Sequence, residues 1–249
     1  VISPRRIMSS SSPAVRARYH QPLVFNDPRN FRRVGSDTEK QAIEGLRPDV
    51  QNNPALEFLA ATATNAIESS EFVRQAAAGY STPIDYGIGG LSAQLRRVAA
   101  LINAEMPTRL YYASYQGNSF DTHVHQAAPH ARLLAYTADP VRGFVEDLTR
   151  IGRVDDVAIM MFTEFGRRVE ENASLGTDHG TATPMFVIGA GVTGGLYGRH
   201  PSLTDLDDGN LKMTTDFRRV YATMIEEWLG FSDTESILRG PFQPLGLFA

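Results

Sequence analysis

Residues 157–189 read VAIMMFTEFGRRVEENASLGTDHGTATPMFVIG, and the fold turns on how the two apolar ends of this stretch are used. Residues 157–162 and 184–189 are each a short, unbroken apolar run of the length of a buried strand. Between them lie two polar clusters, residues 163–167 (TEFGR) directly after the first run and residues 176–180 (GTDHG), read as a loop before the second. Upstream, the aromatic run at 109–115 (RLYYASY) reads as a further buried strand, and residues 129–151 carry Leu133, Leu134, Val141, Phe144, Val145 and Leu148 at helical spacing. Pro140 is expected to kink or split that helix. The order strand, helix, strand predicts an α/β fold with a mostly parallel sheet.

Further helices are expected on both sides. Ala55, Leu56, Leu59, Ala60, Ala63 and Ile67 recur at three and four residues, and Leu91, Leu95, Val98, Leu101 and Ile102 repeat the pattern before Pro107. Residues 216–229 place Phe217, Val220, Tyr221, Met224, Ile225, Trp228 and Leu229 on one stripe, with Gly230 where a helix-ending glycine belongs. Residues 1–36 are different in tone: a serine run, Pro4, Pro22 and Pro28, and an arginine cluster predict an extended, solvated arm. The remainder, 37–249, is expected to form the α/β domain.

Composition narrows the function. The chain has 249 residues, 42% hydrophobic and 21% charged, the balance of a globular protein. No apolar run approaches the roughly 20 residues of a membrane span. The net charge of −4 argues against a broadly basic nucleic-acid-binding surface. With no cysteine there is no disulfide, thiolate metal site or cysteine nucleophile, so a metal would have to use His, Asp or Glu.

Three of the six histidines lie in clusters with carboxylates near the expected strand ends, where ligands gather in parallel α/β sheets. These clusters are FDTHVH (120–125), TEFGR (163–167) and GTDHG (176–180). A mixture of carboxylate and imidazole is what a borderline or hard divalent cation selects, so Asp121, His123, His125, Asp178 and His179 are the metal-ligand candidates. Asp121 and His125 are expected to point at one centre, with His123 as a further ligand or an outer partner. Glu164 is a candidate ligand or acid/base group, and Arg167, whose planar fork matches a pair of anionic oxygens, is the candidate anion binder. The glycines at 189, 191, 194 and 195 read as turns, and Asp205, Asp207, Asp208 and Asn210 as a polar surface loop.

The segment from about residue 117 to 230 resembles the DUF1501 family, bacterial proteins assigned to the alkaline phosphatase-like, or sulfatase-like, superfamily. The resemblance rests on FDTHVHQ, MMFTEFGRRVEEN, GTDHGTATPMFVIGAGVTGG, LYGRHPSL and TTDFRRVYATMIEEWLG. It implies a three-layer α/β/α fold around a mostly parallel sheet, and divalent metal ions (zinc, manganese, calcium or magnesium) that hydrolyse or transfer a small phosphate or sulfate ester. The spacing D-x-x-x-H at Asp121 and His125, with His179 as the later histidine, matches one metal set of that superfamily. A second set usually takes an Asp-His pair where this chain has Glu164-Phe165, with Asp178 placed to compensate. The alternative implied by that substitution is an exported binding or assembly protein that keeps the fold without the chemistry. The resemblance also implies a periplasmic or extracellular location. It implies too that this chain is the C-terminal part of a longer one whose upstream part carries the nucleophile.

Overall fold

The computed structural model describes residues 53–115 and 119–248 together with positions 27, 28, 36, 38, 41 and 45, and leaves the side chains of 54 and 58–67 undescribed. The expected arm over 1–36 falls almost wholly outside the described residues. So do the side chains of Leu59, Ala60, Ala63 and Ile67, four members of the first expected apolar stripe. Two compact units are present. One comprises Val1–Ser114 with Pro140–Asp147, the other Tyr115–Asp139 with Leu148–Ala249.

The first unit is helical. Helix α1 (Pro54–Gly79) starts where Asn53 accepts hydrogen bonds from the Ala55 and Leu56 amides at 3.1 and 3.3 Å, with Pro54 in the first turn, where its missing N–H costs nothing. Helix α2 (Gly90–Asn103) follows two glycines at φ 67° and 116° and buries Leu91, Ser92 and residues 99–102. Helix α3 (Ala127–Arg150), of which only Pro140–Asp147 belongs to this unit, runs on through Pro140 without splitting. Its buried Asp147 accepts from Tyr80 Oη (2.8 Å), Thr82 Oγ1 (2.7 Å) and Tyr86 Oη (2.7 Å). Gly143 allows the approach: a Cβ there would lie 2.6 Å from the Asp85 carbonyl oxygen.

The second unit holds all the described β-structure, and it is antiparallel. Strand β1 (Ile159–Met161) pairs with β4 (Phe186–Ile188) in the register Ile159↔Ile188, Met160↔Val187, Met161↔Phe186. Between them, β2 (Gly166–Glu171) and β3 (Thr177–Gly180) form a hairpin with Arg167 opposite His179. A two-residue turn with Asp208 and Gly209 both at positive φ joins β5 (Leu206–Asp207) to β6 (Asn210–Leu211). Helix α4 (Phe217–Thr223) begins at Asp216 and widens into a π-helical turn over Met224–Trp228, before Gly230 at φ 70°. The short helix α5 is Thr234–Leu238.

The expected three-layer α/β/α architecture with a parallel central sheet is therefore overturned: three separate two-stranded antiparallel pairs stand in its place. Two local causes are visible. Parallel neighbours need a crossover of a dozen or more residues, usually a helix, and the chain between β1 and β4 is spent on the β2–β3 hairpin. Residues 109–115, expected as a buried strand, are neither helix nor strand and join no ladder among the described residues. Gln94 takes the place of a strand partner, accepting from the Ser114 amide (3.1 Å) and donating to its carbonyl (2.8 Å), while Leu110 is 74% exposed. GTDHG, expected as a loop, is strand β3. No described helix is long and apolar enough to cross a membrane.

Candidate metal centre

The centre is assembled in the second unit from the irregular loop at 121–126 and the β2–β3 hairpin. Asp121 and His123, two apart in the loop after Phe120, both meet His179 of β3. Asp121 Oδ1 lies 2.6 Å from His179 Nε2 and 3.0 Å from His123 Nε2, and the two Nε2 atoms are 3.1 Å apart. All three side chains are partly open to solvent. Hydrogen bonding from His179, opposed by partial desolvation and assisted by His123, holds the Asp121 carboxyl below the usual carboxylate range.

Protons alone satisfy this triangle badly. If both imidazoles donate from Nε2 to Asp121, two N–H groups confront each other across 3.1 Å; if only one does, the other nitrogen presents a lone pair to the carboxylate. A cation offers both imidazoles and the carboxylate a common partner. Ligand atoms about 2.0–2.1 Å from a zinc ion stand roughly 2.9–3.4 Å apart; the two contacts of His123 fall in that range, and the Asp121–His179 contact is shorter. Asp121, His123 and His179 each offer one ligand atom and together form a candidate metal-binding set among the described residues.

The surroundings hold the set in place. His123 Nδ1 faces Asp178 Oδ1 at 3.5 Å, and Asn172 Nδ2 donates to Asp178 Oδ1 (3.1 Å) and to the His123 carbonyl (3.2 Å). Asn172, first of all, keeps the Asp178 carboxyl below its ordinary range. The Asn172 Oδ1 accepts from the Ser174 and Gly176 amides, fixing the hairpin turn. Behind the loop, Gln126 donates to Thr122 and accepts from Thr177 Oγ1 at 2.8 Å. The His125 and Gln126 amides donate to the Ser174 and Leu175 carbonyls, both at 2.9 Å. The Phe165 ring stacks on the His179 imidazole, with centroids 3.9 Å apart and planes at 15°.

Among the sequence candidates, Asp121, His123 and His179 come together. Asp178 stands behind His123. His125, at φ 43° and exposed, is not in the cluster, because D-x-x-x-H brings its ends together on a helix and this loop is not helical. Glu164 is exposed at the bend before Phe165. Both terminal nitrogens of Arg167 are engaged by backbone carbonyls, Nη1 by Thr177 (2.7 Å) and Nη2 by Phe120 (2.5 Å). Asn172 and Gln126 escaped the sequence reading; the signal for Asn172 was its place in an N-A-S-L-G turn between two polar strands.

A carboxylate and two imidazoles converging from a loop and a hairpin make this a candidate metal-binding protein of mixed helical and short antiparallel β-structure. The chain belongs to the DUF1501 family, described as a protein of unknown function, whose family model matches residues 91–239. That match takes in every residue of the centre. No curated protein and no solved structure matches the chain.

Proposed function

We propose that the chain is a metal-dependent hydrolase of small phosphate or sulfate esters, with one divalent ion held by Asp121, His123 and His179. The observation that carries this reading is the three-atom triangle whose contacts protons leave unsatisfied. Two nitrogens and one oxygen suit zinc best, and three protein ligands with an open side are the pattern of catalytic rather than structural sites. Bound there, such an ion supplies Lewis acidity toward a phosphoryl or sulfuryl oxygen and a water of lowered pKa. The chain's own parts are then defined. Asp178 orients the His123 ring from behind, as outer carboxylates do for metal-bound histidines. Glu164, exposed one residue before Phe165, is the acid/base candidate. We further propose, from the family resemblance, that the protein works in the periplasm or outside the cell.

Calorimetric titration of the purified protein with Zn²⁺, Mn²⁺, Mg²⁺ and Ca²⁺ tests the site, and aryl phosphates and aryl sulfates test the activity. Binding of one ion per chain is expected, lost in Asp121→Asn and His179→Ala and weakened on acidification, because the imidazoles must be free of protons to bind. Failure of all four ions to bind sinks the proposal. Metal binding with no turnover of any ester leaves a binding protein in which the stacked Phe165 fills the place of a second ligand histidine.

A further inference from the structure

We infer that Arg167 is a positioning residue, a clasp that assembles the candidate metal centre from its two separate pieces of chain. The inference builds on the metal-site reading above and adds to it the origin of the site's geometry. The three candidate ligands come from segments more than fifty residues apart in sequence, Asp121 and His123 on the loop and His179 on β3. Arg167 reaches both. Its Nη2 donates to the carbonyl of Phe120, the residue immediately before Asp121, and its Nη1 to the carbonyl of Thr177, immediately before Asp178 and two before His179. The antiparallel register sets Arg167 directly across from His179, so the clasp closes on the strand that carries the third ligand.

A second contact runs through an aromatic ring. The guanidinium carbon lies 5.3 Å from the centroid of Phe165, and that ring is stacked on His179. Arg167 therefore acts on the imidazole plane as well as on the backbone. The other ties of the loop to the hairpin, from Asn172 to His123 and from His125 and Gln126 to Ser174 and Leu175, sit at the loop's later end. Arg167 secures the end where Asp121 begins. Lysine cannot reproduce this, because a single ammonium lacks the planar fork needed to hold two carbonyls in fixed directions. The same fork, engaged on both arms by backbone, is not offered to an incoming anion.

The test compares wild type with Arg167→Met and Arg167→Lys. Zn²⁺ affinity is measured by calorimetry, ligand geometry from the visible spectrum of the Co²⁺-loaded protein, and loop attachment by hydrogen exchange at the His125 and Gln126 amides without metal. Expected are a loss of affinity of about tenfold or more in Arg167→Met, the range found when outer partners of metal ligands are removed, a smaller loss in Arg167→Lys, an altered Co²⁺ spectrum in both, and faster exchange at the two amides. Wild-type affinity and an unchanged spectrum in both variants would overturn the clasp while leaving the metal site standing. If wild type itself binds neither ion, the metal reading fails. Hydrogen exchange then decides the clasp: faster exchange in the variants supports it, unchanged exchange overturns it. If Arg167→Met does not fold, the same readouts on Arg167→Lys decide the matter.

Discussion

Gly176 shows how closely single residues are constrained around the centre. A Cβ at this position would fall 2.2 Å from the carbonyl oxygen of His123 and 2.5 Å from its carbonyl carbon, and backbone cannot swing aside as the tip of a side chain can. Absence of a side chain is what lets the ligand loop lie against the hairpin. Gly176→Ala is expected to push His123 away from His179 and to weaken Zn²⁺ binding by about tenfold or more; titration against wild type measures it, and equal affinities would show that the loop accommodates the methyl group. A different constraint governs Tyr86, which is fully buried with its hydroxyl on Asp147. Burial first, then the Asp147 carboxylate, drives its phenol far above the ordinary range, so it remains a donor at every working pH. Tyr86→Phe removes a donor from a buried carboxylate, and a hydrogen bond to a charged group is worth roughly 1.5–3 kcal/mol. Urea denaturation should show a loss of that order in the first unit.

Among the elements, the last long helix does the most with its sequence. Arg219, Thr223 and Glu227 stand on one face at intervals of four, and each holds part of the C-terminal segment. Arg219 donates to the carbonyls of Gln243 and Pro244, Thr223 Oγ1 accepts from the Leu245 amide, and Glu227 accepts from the amides of Gly246, Leu247 and Phe248 at 2.9, 2.9 and 3.1 Å. Trp228 stacks on Phe248 at the end of the strap. Glu227→Ala leaves three amides without their acceptor, and hydrogen exchange at 246–248 should quicken by roughly tenfold or more, the equivalent of about 1.4 kcal/mol; unchanged exchange would show that the strap is held elsewhere. The start of the same helix is sensitive to pH. Asp216 accepts from the Arg218 amide and forks to its guanidinium at 2.9 and 2.6 Å, and those contacts hold its carboxyl below the ordinary range. A carboxyl with a depressed folded-state pKa stabilises fully above its unfolded value, near 3.9, and loses that contribution as pH falls through the folded value. Asp216→Ala is therefore expected to cost about 1 kcal/mol at neutral pH as a lost helix cap and progressively less as pH falls below the unfolded value, as paired denaturation curves would reveal.

At the scale of the molecule, the two units have separate centres of gravity in their chemistry. Every residue of the candidate metal centre, and each group that positions it, belongs to the unit formed by Tyr115–Asp139 and Leu148–Ala249. The buried carboxylate cluster around Asp147 belongs to the other. Tyr86→Phe should thus lower stability while leaving Zn²⁺ affinity at the wild-type value. A parallel loss of affinity in the folded variant would mean that the Asp147 cluster also supports the metal centre.

The sequence alone determined the elements whose signal is local. Pro54 and Asn53 start α1, the 3.6-residue stripe and Gly230 delimit the last helix, and the apolar runs around 159–161 and 186–188 form strands, each because its own residues suffice. Asp121, His123 and His179 were legible as ligand types, since only carboxylates and imidazoles could serve in a chain without cysteine. Tertiary structure decided how they are used. Strand direction depends on what fills the interval between strands, and the 24 residues 162–185 can be read as loop or, as here, as a hairpin that turns β4 antiparallel to β1. The ligand set depends on backbone conformation: i, i+4 would have joined Asp121 to His125 on a helix, whereas this irregular loop joins Asp121 to His123. Arg167 carries the same lesson, because a guanidinium's partners can be backbone carbonyls of residues distant in sequence, and no pattern of side chains along the chain records where those carbonyls will point.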